Sequence, residues 1–285
     1  MIASKVGLVR AGRHGVRIAA RPSLTIVALV ALVTACGSST DPKAERSDTP
    51  SVSPSPTERA GTLDTESGGT INYRCAGQGS PAILLEAGSD SAGTQQYSSL
   101  LFDPLAERTT VCTYDRPGTG LSPDLPDHRR TLDDVCEVQD EVIDALPITP
   151  PYVLFGQSAG GNMVIGCAAR HPDRLAGLVV VEGYHDDPHE MRKLQREEGW
   201  TWQGNPEHLD YIDITDELDS VAMPLGAFPV LILTATDADP GNVANQEFWL
   251  GLSPNSRQVV VEGSHDLHED NPEVVAAETL ALLDK

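Results

Sequence analysis

Gly156-Gln157-Ser158-Ala159-Gly160-Gly161 directly follows the apolar run Tyr152-Val153-Leu154-Phe155 and precedes a stretch of helical character. A strand, a tight turn carrying serine and then a helix lift the serine Oγ out of the backbone as a nucleophile. Small residues on both flanks fit this arrangement, because a strained turn leaves no room for a Cβ-bearing neighbour between the strand and the returning helix. The first turn of that helix also offers unpaired N–H groups and the positive end of a dipole, which favour an oxyanion developing beside Ser158. The chemistry suggested is nucleophilic acyl transfer.

The elements that would position Ser158 start well inside the chain. Residues 1–35 carry five Lys or Arg (Lys5, Arg10, Arg13, Arg17, Arg21), no acidic residue and an apolar run at 24–33, ending Thr34-Ala35-Cys36. A run of roughly ten apolar residues suits a signal peptide's core, whereas a spanning helix needs about 20. Val33-Thr34-Ala35-Cys36 resembles a bacterial lipobox, so 1–35 is expected to be a lipoprotein signal peptide and Cys36 the lipidated residue. Residues 36–61, rich in Ser, Pro, Thr and acidic residues, lack the apolar side chains for a core and are expected to form a disordered tether. Residues 62–285 are then one domain of ordinary size.

Within it, strands are expected near 70–75, 82–86, 109–114, 152–156, 175–182, 230–235 and 258–262, the last three as buried strands. Helices are expected at 131–146, capped by Thr131, at 159–170 and from Asn271-Pro272 onward. Strands interleaved with helices predict an α/β class with a mostly parallel sheet covered on both faces.

Several motifs, in this order, resemble the α/β-hydrolase superfamily over about residues 70–283. Ala87-Gly88-Ser89 follows the strand at 82–86 where the superfamily usually has His-Gly-X. Ala87 departs from that pattern, but the oxyanion donor is a backbone N–H, here of Ser89, with Ala159 as its companion. Asp115-Arg116-Pro117-Gly118-Thr119-Gly120-Leu121-Ser122 looks like the superfamily's D-x-x-G-x-G-x-S turn; it lacks the Lys-Ser/Thr of a phosphate loop. Gly263-Ser264-His265 with Pro272 downstream is similar to the superfamily's last-strand ending, one glycine short, and implies His265 as general base, with His268 as its neighbouring rival. For the acid, Thr236-Asp237-Ala238-Asp239-Pro240 resembles the G-x-x-D-P loop and favours Asp239. Asp237 and Glu182, at the end of the 175–181 strand, are the alternatives. The implied order of Ser, acid and His is that of the superfamily.

The chain carries 20 basic and 42 acidic residues, net −22, and its leader holds five of the basic ones. No cluster of Lys and Arg suits phosphates, so nucleic acid is not an expected partner, and contact with a membrane is expected only through the N-terminal lipid. A monomer is expected. With Cys36 lipidated, Cys75, Cys112, Cys136 and Cys167 are an even set in an exported chain, which permits three pairings. The resemblance implies Cys75–Cys112 and Cys136–Cys167, since it sets the first pair on neighbouring strands and the second on helices sharing one face.

The stretch 183–228 is charged and irregular and is expected to be a lid insertion, with Trp200 and Trp202 as candidate walls of an acyl pocket. Tyr184-His185-Asp186-Asp187-Pro188-His189-Glu190 has metal-ligating residue types, but a solvated acidic segment describes it better, and neither metal nor cofactor is called for. The expected activity is carboxylesterase-like hydrolysis outside the cytoplasm, on the outer side of a bacterial membrane. The alternatives are the same fold acting as peptidase, lactonase, thioesterase, perhydrolase or C–C hydrolase, and a non-catalytic surface binding protein.

Overall fold

A computed structural model describes residues 57–125, 128–199, 201–237 and 241–284. The leader, Cys36, most of the expected tether, Trp200 and Asp239 lie outside the described residues.

Eight strands, β1 (Arg59–Thr65), β2 (Gly69–Ala76), β3 (Ile83–Glu86), β4 (Val111–Tyr114), β5 (Tyr152–Gln157), β6 (Leu175–Val181), β7 (Val230–Ala235) and β8 (Ser256–Val261), form one sheet in the order β1-β2-β4-β3-β5-β6-β7-β8. β1 and β2, and β2 and β4, pair antiparallel; every later pair is parallel. The helices are α1 (Gly93–Gln96), α2 (Ser99–Arg108), α3 (Leu132–Ala145), α4 (Ala159–Arg170), α5 (Pro188–Glu198), α6 (Tyr211–Asp219), α7 (Asn242–Gln246), α8 (Leu267–Asp270) and α9 (Pro272–Leu283).

Strand side chains alternate between two cores, as a period of two requires. Leu154, Leu178, Val180 and Ile232 join α3, α4 and α6 on one face, while Phe155, Val179, Val181 and Leu233 join α2 and α9 on the other. α3 begins with a capping box: Thr131 Oγ1 accepts from the Asp134 N–H at 3.3 Å and Asp134 Oδ2 from the Thr131 N–H at 2.8 Å. The central strands therefore end at one rim, where parallel α/β sheets place their sites.

Three features depart from the sequence-based expectations. The sheet begins at Arg59, inside the stretch expected to be tether: β1 has little to bury, but its backbone pairs with β2 over seven residues. α2 was not anticipated, and it buries Leu101, Phe102 and Leu105 with Pro104 in its interior. β8 is an edge strand rather than a buried one, half-buried along its length with Val260 46% exposed.

Both expected disulfides are present. Cys75 and Cys112 face each other in register across β2 and β4, with Cα atoms 4.1 Å apart, and Cys136 of α3 joins Cys167 of α4. Replacing Cys136 and Cys167 together by serine frees a loop of 31 residues in the unfolded chain. The expected loss in urea unfolding is about 3–4 kcal/mol; a loss below about 1 kcal/mol would show that the bridge constrains nothing.

Candidate active site

Ser158 sits between β5 and α4 with φ 54° and ψ −125°, the strained turn that its neighbours predicted. The flanking glycines are steric necessities. A Cβ on Gly156 would run into the Gly160 carbonyl, and one on Gly160 into the carbonyls of Glu86 and Ala87. That second contact shows how tightly the start of α4 lies against the loop after β3. The Ser158 N–H donates to the Val181 carbonyl at 2.8 Å, tying the turn to β6.

His265, on the loop after β8, presents Nε2 2.8 Å from Ser158 Oγ and Nδ1 3.3 Å from Glu182 Oε2. With Nδ1–H donating to the carboxylate, Nε2 is left as an acceptor for the serine proton. Glu182 follows β6, has φ 54° and is fully buried. Its Oε1 accepts the Ala235 N–H at 2.6 Å, Asn242 Nδ2 at 3.0 Å and Gln246 Nε2 at 3.2 Å, and its Oε2 accepts the Tyr184 hydroxyl at 3.1 Å. Burial works against its charge, but hydrogen bonds from His265, the Ala235 N–H, Asn242 and Gln246 outweigh it and hold the carboxyl below the usual range.

Of the two candidate acids among the described residues, Glu182 is the one brought to the imidazole. Asp237 is exposed, with its N–H on the Gly263 carbonyl and its carboxylate on Thr236, and the favoured Asp239 lies outside the described residues. Sequence reasoning missed the shell around Glu182. Tyr184 also stacks on His265 with ring centroids 5.5 Å apart, and its place two residues after the acid was the available signal. Asn242 and Gln246, four apart on one short helix, gave none.

It is His265, not the rival His268, whose ring meets Ser158 Oγ. His268 is buried against Tyr97, with Nε2 3.1 Å from Gln96 Nε2, and burial lowers its pKa to about 4. Gln96 in turn donates to Gln157 Oε1 at 2.9 Å and accepts the Gly88 N–H at 3.0 Å, while Gln157 Nε2 donates to the His265 carbonyl at 3.3 Å. Two amide side chains therefore tie together the loop after β3, the residue before the nucleophile and the loop of the base. Ser89 stands in that first loop and Ala159 opens α4.

Trp202 packs edge-on to His208 at 5.9 Å. In the 184–190 stretch, His185 stacks on Phe248, and its Nε2 lies 3.5 Å from Asp219. Among the described residues no group of three or more His, Cys, Asp or Glu is arranged to hold a metal ion.

A sequence model of the alpha/beta hydrolase fold matches residues 81–211. Over 116 residues the chain is 40% identical to the putative carbamate hydrolase RutD of Caulobacter segnis, an alignment covering 40% of this chain and 42% of that one. It is 25% identical over 213 residues to the protein YqjL of Bacillus subtilis, covering 70% of this chain and 82% of the other. The chain spans about two fifths of the length of the Caulobacter relatives it matches. Among solved structures, the carboxylesterase CesB (YbfK) of Bacillus subtilis superposes with a TM-score of 0.56 at 17% identity, over 80% of this chain and 92% of that one; at such identity the likeness concerns the fold.

Proposed function

We propose that this chain, an α/β-hydrolase by fold, is a serine hydrolase that cleaves a carboxylic ester or a related acyl bond through Ser158, His265 and Glu182. The observation that carries the reading is the continuous contact from Ser158 Oγ to His265 Nε2 at 2.8 Å and from Nδ1 to the buried Glu182 carboxylate at 3.3 Å. His265 takes the serine proton as Oγ attacks the carbonyl, the N–H groups of Ser89 and Ala159 receive the oxyanion, and His265 returns the proton to the leaving alcohol. Water, activated by the same imidazole, then releases the acid. Glu182 stays ionised and stabilises the imidazolium.

The 183–228 segment is proposed as the lid that sets acyl chain length. The leader residues and the Val33-Thr34-Ala35-Cys36 sequence support export and lipidation at Cys36, and two disulfides fit an oxidising compartment.

The test is a panel of p-nitrophenyl acetate, butyrate and octanoate, an aryl carbamate, a lactone and a peptide anilide, with products identified by mass. The carbamate is included because that bond is named in the Caulobacter relative. Turnover of an ester to its acid and alcohol, with the other substrates slower, is expected. No turnover of any acyl substrate by folded protein would contradict the proposal and favour a binding protein.

A further inference from the structure

The buried charges beside the site form one assembly that the mechanism above does not use. Glu86, Arg116 and Glu207 are each at most 1% exposed. Glu86 ends β3, Arg116 belongs to the turn after β4, and Glu207 comes from the 183–228 segment, 91 residues further along. Arg116 donates from Nε to Glu207 Oε2 at 2.5 Å and from Nη2 to Glu207 Oε1 at 2.9 Å, a bidentate pair, and from Nη1 to Glu86 Oε1 at 2.7 Å. Glu86 is further held by Tyr114 at 2.6 Å and Gln139 at 2.8 Å. Burying three ions is costly, and apolar residues of similar volume would fill the space as stably. Geometry is what the ions supply.

That geometry falls on three successive peptide planes. Arg116 Nη1 donates to the Ala87 carbonyl at 2.7 Å, and the N–H on the other side of that peptide, Gly88, is taken by Gln96 Oε1. Arg116 Nη2 donates to the Gly88 carbonyl at 2.7 Å. The Gly88 carbonyl shares its trans peptide plane with the Ser89 N–H, so the guanidinium both orients that N–H and polarises it as a donor. The next N–H, of Asp90, donates to Glu207 Oε1 at 2.7 Å. Asp90 has φ 55°, a strained conformation for a residue with a Cβ, which persists only where its surroundings impose it.

We infer that Glu207 is a positioning residue for acyl transfer: through Arg116 and the Asp90 amide it sets the plane of the Gly88–Ser89 peptide, so the oxyanion donor is aimed only when the 183–228 segment is docked on the loop. The inference rests on the proposed role of Ser158 and adds to it that docking of this segment and assembly of the oxyanion hole are one event. Glu207 reaches the loop through Arg116 and the Asp90 N–H, and it is on the loop that it acts.

The experiment compares wild type with Glu207→Gln, which removes the charge, and Glu207→Asp, which keeps it one methylene shorter. Each is assayed for kcat and KM on the best ester and for the affinity of an alkylboronic acid, whose serine adduct puts an oxygen where the oxyanion forms. A misplaced oxyanion donor predicts a kcat lower by about 10–100-fold in Glu207→Gln. KM is expected to stay within about threefold while boronate affinity falls in step with kcat, and Glu207→Asp is expected to recover part of both. Unchanged kcat and boronate affinity in folded variants would overturn the inference, as would a loss confined to KM, or a fall in kcat with boronate binding intact. Failure of both variants to fold would also overturn it, since the residue would then serve the whole domain rather than the loop. Wild type that hydrolyses no acyl substrate and binds no boronate would instead remove the hydrolase proposal on which the inference stands.

Discussion

Replacing Ser158 with alanine is expected to lower kcat by about 10⁴–10⁶-fold while leaving the fold intact, because the variant keeps the base and the oxyanion donors but has no nucleophile. Any residual rate would come from water attacking a bound acyl group beside the same donors. The side chain is half-buried at a position with φ 54°, where alanine is no more strained than serine, so the melting temperature should move by only a few degrees. Steady-state hydrolysis and a thermal melt check both halves. A loss below about tenfold would place the chemistry elsewhere.

The second large effect concerns the acid. Glu182→Gln is expected to cost about 10³–10⁴-fold in kcat, through the tautomer of His265 rather than through loss of a contact. Asn242 spans both oxygens of Glu182, while the Ala235 N–H and Gln246 donate to Oε1 alone. A glutamine would therefore keep its carbonyl oxygen at that end and turn its NH₂ toward Nδ1. The ring must then carry its proton on Nε2, facing Ser158, and can no longer accept one from it. Asp239→Asn is expected to stay within about threefold of wild type. The reverse ranking would move the acid to position 239.

There is a stability consequence as well. Because the Glu182 carboxyl is held below its ordinary 4.5, its ionised form contributes stability above that pH, and the contribution is lost as pH falls through the lower folded value. Denaturation followed from pH 6 downward should therefore show less acid sensitivity in Glu182→Gln than in wild type.

What the sequence revealed depended on how local each feature was. The Ser158 turn is written in six consecutive residues, because a sharp strand-to-helix turn constrains its own neighbours. α3 was readable from Thr131 and its apolar spacing. The acid was readable only as a choice among Asp239, Asp237 and Glu182, since it depends on how the ends of β6 and β7 meet the loop after β8, and no short pattern encodes that. The disulfide pairs followed once strand and helix neighbours were inferred from the resemblance. β1 escaped because a polar edge strand is held by its backbone, and α2 because Pro104 interrupts its pattern. The assembly of Arg116 with Glu86 and Glu207 was hidden for a further reason: a glycine-rich turn drew attention to its backbone, while its arginine acts on a loop 28 residues earlier.

In the proposed mechanism Ser158 is the nucleophile, His265 activates it and Glu182 orients the imidazole. The most direct measurement is reaction with a fluorophosphonate, followed by peptide mass mapping, in wild type, His265→Ala and Glu182→Gln. The predicted result is a single phosphonylated peptide bearing the adduct on Ser158, formed rapidly by wild type and at least about 100-fold more slowly by either variant. Folded wild-type protein that takes no label at Ser158, or labels equally fast without the imidazole, would contradict it.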